Sequence, residues 1–306
     1  MIKWIKVTNS SNETVKFTLN NPGESGFIIA NVTGISPGRA NINISEITTY
    51  DGGLFNSAQI PFRSINLQLI YYWGVNTIEE LRHESYKYFP LKEKITLEIQ
   101  TDTRLASITG YVETNDVSIF SSIESSNITI SCPDPYFYDS EGSGVQVTVS
   151  SNIEGAFEFP FSNESLTEDL IVFGDIRDYS ERTVVYKGDA SIGCTISVHA
   201  IGPVSNLMIY NVTTREIFKI DTTKLEQMTG SGIVAFDDII IHTEKGSKSV
   251  TLLRNGVSTN ILNAVDRSSD WISLIPGNNI FTISADGQGA LNVQYTIENR
   301  ISYEGI

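Results

Sequence analysis

The chain has 306 residues, a formal net charge of −15 and a sequence pI near 4.6. So acidic a chain repels phosphate backbones, which argues against specific nucleic-acid binding. The charge is spread along the sequence, which favours a soluble folded surface over a disordered tail. With 40% hydrophobic residues there is enough apolar material for a core in each of two domains, the natural division at this length.

The opening Met1-Ile2-Lys3-Trp4-Ile5-Lys6 contains no apolar signal segment, so synthesis and folding in a cytoplasm are expected. No apolar run approaches the ~20 residues that span a bilayer, so no membrane insertion is expected. Period-two alternation then dominates and predicts half-buried antiparallel strands. Ile65, Leu67, Leu69, Tyr71 and Trp73 alternate first, and Ile95, Leu97 and Ile99 follow. Between them Thr77-Ile78-Glu79-Glu80 is a capping box. It predicts a helix with Ile78, Leu81, Tyr88 and Phe89 near one face, stopped by Pro90. Cys132-Pro133-Asp134-Pro135 restricts the backbone to an extended connector, and the polar run from Asp139 to Gly144 reads as a joint. The predicted domains are therefore residues 1–138 and 139–306. The second contains alternating Val145, Val147 and Val149, then Phe157, Phe159 and Phe161. Ile196, Val198 and Ala200 alternate next, and Leu291, Val293, Tyr295 and Ile297 close the series. A short helical turn is predicted from Asp221 through Leu225.

The residues give little sign of chemistry. Cys132 and Cys194 read as two buried free thiols rather than a bridge. His83 reads as solvated on the helix, His199 as facing outward from its strand, and His242 lies outside any paired metal spacing. No nucleophile elbow or phosphate-cradling loop is present. Asp237 and Asp238 are adjacent on a presumed strand, so they point to opposite faces and cannot form a glycosidase pair. Asp134, Asp139 and Glu141 lack the regular alternation of a calcium loop. Trp4, Trp73 and Trp271 read as core or interface rather than sugar platforms. A non-enzymatic protein without cofactor or metal is expected.

Taken in order, several stretches resemble the distal tail protein family of siphophages. In the first half they are Gly34-Ile35-Ser36-Pro37, Asp51-Gly52-Gly53-Leu54-Phe55 and Pro61-Phe62-Arg63-Ser64-Ile65-Asn66-Leu67. The run from Thr103 to Val112 and Cys132-Pro133-Asp134-Pro135-Tyr136-Phe137 continue the series. In the second half they are Phe157-Glu158-Phe159-Pro160-Phe161, Tyr186 to Gly193, Lys248 to Gly256, Trp271 with Pro276-Gly277-Asn278-Asn279, and Tyr303-Glu304-Gly305-Ile306. The chain departs from this pattern at Phe236-Asp237-Asp238, where relatives often read Gly-Asp around the position of Asp237.

The resemblance implies a mainly β fold with two β-rich domains. The first is a sandwich or barrel-like ring-forming domain with one helix, and the second is a galectin-like, carbohydrate-binding-module-like sandwich. It implies a homo-hexameric ring in the virion, at the distal end of the tail tube. That ring serves as a hub for tail-tip, baseplate and host-adsorption proteins. Its implied partners are a tail tube protein, a tail-tip hub or tail-associated lysin-like protein, and receptor-binding proteins. Ile60, Phe62, Tyr71, Tyr72 and Trp73 are expected to supply a subunit contact, with ordinary core as an equal alternative. Arg63 and Arg104 are expected to fix strand or subunit geometry through carboxylate pairing. The alternative function is a carbohydrate-binding adhesin or lectin module for host cell-wall glycans. Its mark would be a solvent-exposed aromatic beside Asn, Asp or Arg on one sandwich face.

Overall fold

Most of the alternating runs within the described residues become strands, but Leu291 falls in a 3-10 turn ahead of its strand, and Val145, Val147 and Val149 turn their apolar side outward instead of into a core. The computed structural model describes the chain apart from residues 20, 22, 47–50, 73, 75, 122, 143, 151–152, 155–174, 177–180 and 288. The Phe157, Phe159 and Phe161 alternation lies outside the described residues.

Two units divide the chain: Met1–Gly144 with Ser302–Ile306, and Val145–Ile301. Elements are labelled in chain order. In the first unit the strands are β1 (Trp4–Thr8), β2 (Thr14–Thr18), β3 (Phe27–Thr33), β4 (Asn41–Glu46), β5 (Gly53–Gln59), β6 (Arg63–Tyr71), β7 (Lys94–Gln100), β8 (Leu105–Ser118), β9 (Ser125–Cys132), β10 (Phe137–Asp139) and β25 (Ser302–Tyr303). An antiparallel sheet runs β2-β1-β7-β8-β9-β6-β3, with β10 pairing both β8 and β25. One face is continuous core: Ile5, Val7, Phe17, Phe27, Ile65, Leu67, Leu69, Leu97, Ile108 and Ile130 are all buried.

Helix α1 (Ile78–Tyr88) begins with the predicted capping box. The Thr77 side chain accepts from the Glu80 N–H, and the Thr77 N–H donates to the Glu80 carboxylate. Leu81 and Ser85 face the core, and the Phe89 ring at the helix end stacks on Phe17 at 6.3 Å. The helix approaches so closely that a Cβ on Gly26 would lie 2.3 Å from Leu81 Cδ2, at a φ of +74° that already favours glycine.

The unit boundaries differ from the predicted ranges. The first unit runs to Gly144, and residues 302–306 return to it. The cause is local pairing: Phe137 sits opposite Tyr303, and the Ile306 N–H donates to Ile35 O at 3.0 Å.

The second unit contains β11 (Val145–Ser150), β12 (Ile153–Glu154), β13 (Asp175–Ile176), β14 (Arg182–Tyr186), β15 (Ile192–Gly193), β16 (Thr195–Ala200), β17 (Met208–Asn211), β18 (Glu216–Lys219), β19 (Asp238–His242), β20 (Ser249–Arg254), β21 (Val257–Asn260), β22 (Ser273–Leu274), β23 (Gly277–Ser284) and β24 (Val293–Arg300). A six-stranded sheet ordered β11-β24-β16-β19-β20-β21 faces a four-stranded sheet ordered β14-β23-β17-β18. Both contribute to one core, with Ile196, Ile241, Val250 and Ile297 from the first and Tyr186, Ile209, Phe218 and Phe281 from the second. This is a β-sandwich, so the mainly β reading holds. Helix α2 (Thr222–Thr229) starts at the predicted Asp221, whose carboxylate accepts from the Lys224 N–H, and Gly230 closes it at φ +82°. Among the described residues no helix is long and apolar enough to cross a membrane.

Candidate functional site

Among the described residues, two surfaces stand out, one in each unit. The first is the β4–β5 hairpin. Among the described residues its two strands pair with each other and with no other strand, and every position in them is exposed. In the register Ile42 faces Ala58 and Ile44 faces Phe55, so these four side chains share one side. Ile42, Ile44, Leu54 and Phe55 are 60, 56, 58 and 61% exposed. A local register shift between Asn43 and Ile44 turns Asn56 out, where its amide donates to Ser45 Oγ at 2.6 Å. Alternation in this stretch reads like a core strand, so exposure of the apolar side was not legible from it.

The residues expected at a subunit contact differ in exposure. Phe62 is 65% exposed and Tyr72 is 39% exposed. Trp73 lies outside the described residues. Tyr71 is core: its ring packs edge-on against Phe27 at 5.8 Å and its hydroxyl bonds Ser126 Oγ at 2.8 Å. For Tyr71 the core alternative is therefore the correct one.

Carboxylate pairing is also corrected for Arg63. This side chain is buried, and its guanidinium donates to four backbone carbonyls: Pro135 O at 2.6 Å, Gly34 O at 2.7 Å, Ser36 O at 2.6 Å and Glu304 O at 2.6 Å. Phe137 lies under it at 4.8 Å. Desolvation lowers its pKa below the ordinary guanidinium value. Arg104 lies 4.2 Å over the Tyr303 ring and donates to Gly305 O at 3.4 Å. Both arginines thus hold the returning segment 302–306 inside the first unit.

The second surface is the outer face of the six-stranded sheet. Asp237 and Asp238 do point apart. Asp237 is buried, and its carboxylate accepts from Arg254 Nε at 2.8 Å and Nη2 at 2.6 Å. That pair raises the Arg254 pKa above its ordinary value. Asp238 faces outward and accepts His199 Nδ1 at 2.6 Å, directly across from it in the register. Val149, Ser197, Gln294 and Thr296 line a shallow groove beside this pair. Phe236 stands at its end, 77% exposed, with its ring centroid 6.5 Å from that of His199. Its φ is +68°, a conformation that costs a bulky residue about 1–3 kcal/mol. The outward placement of His199 was legible from period two. Its pairing to Asp238, and the aromatic beside them, depended on strand register and escaped sequence reasoning.

Neither cysteine is poised for chemistry. Burial pushes the Cys132 thiol up to about 11 and the Cys194 thiol up to about 12. Among the described residues no group of three or more His, Cys, Asp or Glu is placed to hold a metal ion.

Residues 187–298 match the family model of the siphovirus-type tail component, C-terminal domain. No curated protein sequence matches the chain. Among solved structures it is similar to the SPP1 Dit (gp 19.1) protein, described as a paradigm of hub adsorption apparatus in Gram-positive infecting phages. The two are 14% identical over 97% of this chain and 98% of that one, with a TM-score of 0.62. It is also similar to a chain of the phage p2 baseplate in its activated conformation with Sr, 12% identical over 97% of each chain, with a TM-score of 0.45. Along nearly its whole length the chain therefore has the fold of SPP1 Dit, and its residues 187–298 are similar to the C-terminal domain of siphovirus-type tail components.

Proposed function

We propose that this chain is a structural hub protein of a phage tail, assembling as a homo-hexameric ring at the distal end of the tail tube. The β4–β5 hairpin carries the reading. A two-stranded hairpin without further cover is marginal in water. This one also presents Ile42, Ile44 and Phe55 along one side. Burying one such side chain is worth about 1.5–3 kcal/mol, so the arm is stabilised by a neighbour. A second copy meeting it head to tail closes a ring when the rotation divides a full turn. The resemblance to distal tail proteins is what implies six as the number of copies. It also supports the role of platform for a tail tube protein, a tail-tip or lysin-like protein and receptor-binding proteins. The chain then acts by being held between neighbours, and no turnover is assigned to it.

Phe55→Asp tests this reading. A charge on the exposed arm touches no core residue, so the monomer's melting temperature stays within about 2 °C of the wild type. Sedimentation of the wild type gives a ring-sized species, and the variant gives monomer. Equal sedimentation of the two at every concentration would overturn the role given to the arm.

A further inference from the structure

The β4–β5 arm leaves the first unit through two legs, residues 34–40 ahead of β4 and residues 60–62 after β5. Among the described residues its strands pair with no other strand, so its direction is set where the legs leave the body. The legs run side by side there: a Cβ on Gly38 would lie 3.3 Å from Ile60 Cγ2 and 3.8 Å from Arg63 Nη2. We propose that the returning segment 302–306 is a latch that fixes the root of this arm and so holds the arm ready for the neighbouring copy. The proposal rests on the assembly role given to the arm above and adds what controls it.

Successive residues of the segment reach the legs. The Ile306 N–H donates to Ile35 O at 3.0 Å. Gly305 lies directly on the same leg: a Cβ there would stand 2.7 Å from both Pro37 N and Pro37 Cδ, and 3.0 Å from Ser36 C, so the close approach needs a glycine. Glu304 O accepts from Arg63 Nη2 at 2.6 Å, while Nη1 of the same guanidinium donates to Gly34 O at 2.7 Å and Ser36 O at 2.6 Å. Arg63 is the first residue of β6, directly after the second leg, so its fork ties both legs to the latch through charge-assisted bonds. The other end of the latch is pinned to the sheet. Ser302 and Tyr303 are buried, Tyr303 pairs with Phe137 on β10, and Arg104, just ahead of β8, lies 4.2 Å over the Tyr303 ring. The rigidity of the sheet is thereby passed to the arm.

Preorganisation follows. A free leg samples many backbone states, and ordering it at contact costs entropy that weakens association. With the latch seated, that ordering is complete before a neighbour arrives. The latch also follows all of residues 145–301 in the chain, so a chain still being synthesised cannot fix its arm until the second unit has been made. Early association of incomplete chains through the apolar arm is weakened accordingly.

The experiment uses the full chain with two latch variants. Gly305→Val drives the latch off Pro37, and Arg104→Leu loosens Tyr303 without a clash. Arm direction is read as the electron–electron distance between spin labels on Ser57→Cys in β5 and Lys94→Cys in β7, both exposed positions. These measurements are made with Phe55→Asp, so that assembly does not itself order the arm. The native thiols are buried, and a protein carrying two labels rather than three or four still has its first unit folded. The chain with an intact latch gives one narrow distance distribution, and either latch variant broadens it at least twofold. In the chain without labels or Phe55→Asp, either variant raises the concentration for half-assembly at least tenfold in sedimentation. Val257→Ser, an exposed change in the second unit, alters neither reading. A distribution that both latch variants leave narrow overturns the proposal. So does labelling of Cys132 in both, which would make the segment part of the core rather than a latch, and so does unchanged assembly with a broadened arm. A wild type that never assembles overturns the arm's role instead, and it is told apart because the distance distributions do not depend on assembly.

Discussion

Arg63 shows how one side chain ties together distant parts of a chain. It has five N–H donors in a rigid fork, and four short bonds from them reach carbonyls at residues 34, 36, 135 and 304. Arg63→Ala leaves these carbonyls without their donor, at about 1–3 kcal/mol for each that stays dry. We expect urea denaturation to report a loss above about 3 kcal/mol. Arg63→Lys recovers only part, because three donors on one ammonium cannot reproduce the fork. A loss below about 1 kcal/mol would show that water replaces the guanidinium freely. The sequence suggested that Arg63 fixes geometry but mistook its partners. Carbonyl acceptors have no residue signature, and those at residues 34 and 304 meet only after the chain has folded. The thiols give a second residue-scale test. With pKa values raised to about 11 and 12, Cys132 and Cys194 stay protonated and buried near pH 8. Iodoacetamide should label neither until denaturant unfolds the chain. Rapid native labelling of either would contradict its placement.

At the scale of elements, helix α1 was the most legible part, because its start rests on a four-residue pattern and its stop on Pro90. Thr77→Ala should cost about 1 kcal/mol at neutral pH. Hydrogen bonds from Thr77, backbone first and then side chain, hold the Glu80 carboxyl below its ordinary pKa. A depressed folded pKa contributes stability that is present above the unfolded value of about 4.3 and is lost as pH falls through the folded one. The gap between wild type and Thr77→Ala should therefore narrow below about pH 4 in thermal melts. A gap that stays constant to pH 2 would remove the box from the account. The β4–β5 hairpin marks the limit of such reading. Alternation tells which residues share a side, but whether that side meets a core or solvent is decided by elements far along the chain. The same limit hid the His199–Asp238 pair, since period two assigned each residue a face without assigning the strand beside it.

For the whole molecule, two β-rich units were legible from length, alternation and the proline-rich stretch near Cys132. The return of residues 302–306 to the first unit was not, because two strand residues and a few contacts to Arg63 and Arg104 leave no composition signal. The units differ in what they leave uncovered, an apolar arm in the first and a polar groove with a fixed aromatic in the second. Assembly through the arm is the claim on which the functional account rests. The most direct test is electron microscopy of the purified full-length protein at high concentration. The account predicts particles with six-fold symmetry and a central opening. Monomers at every concentration, with no association when tail-tube or tail-tip proteins are added, would contradict it.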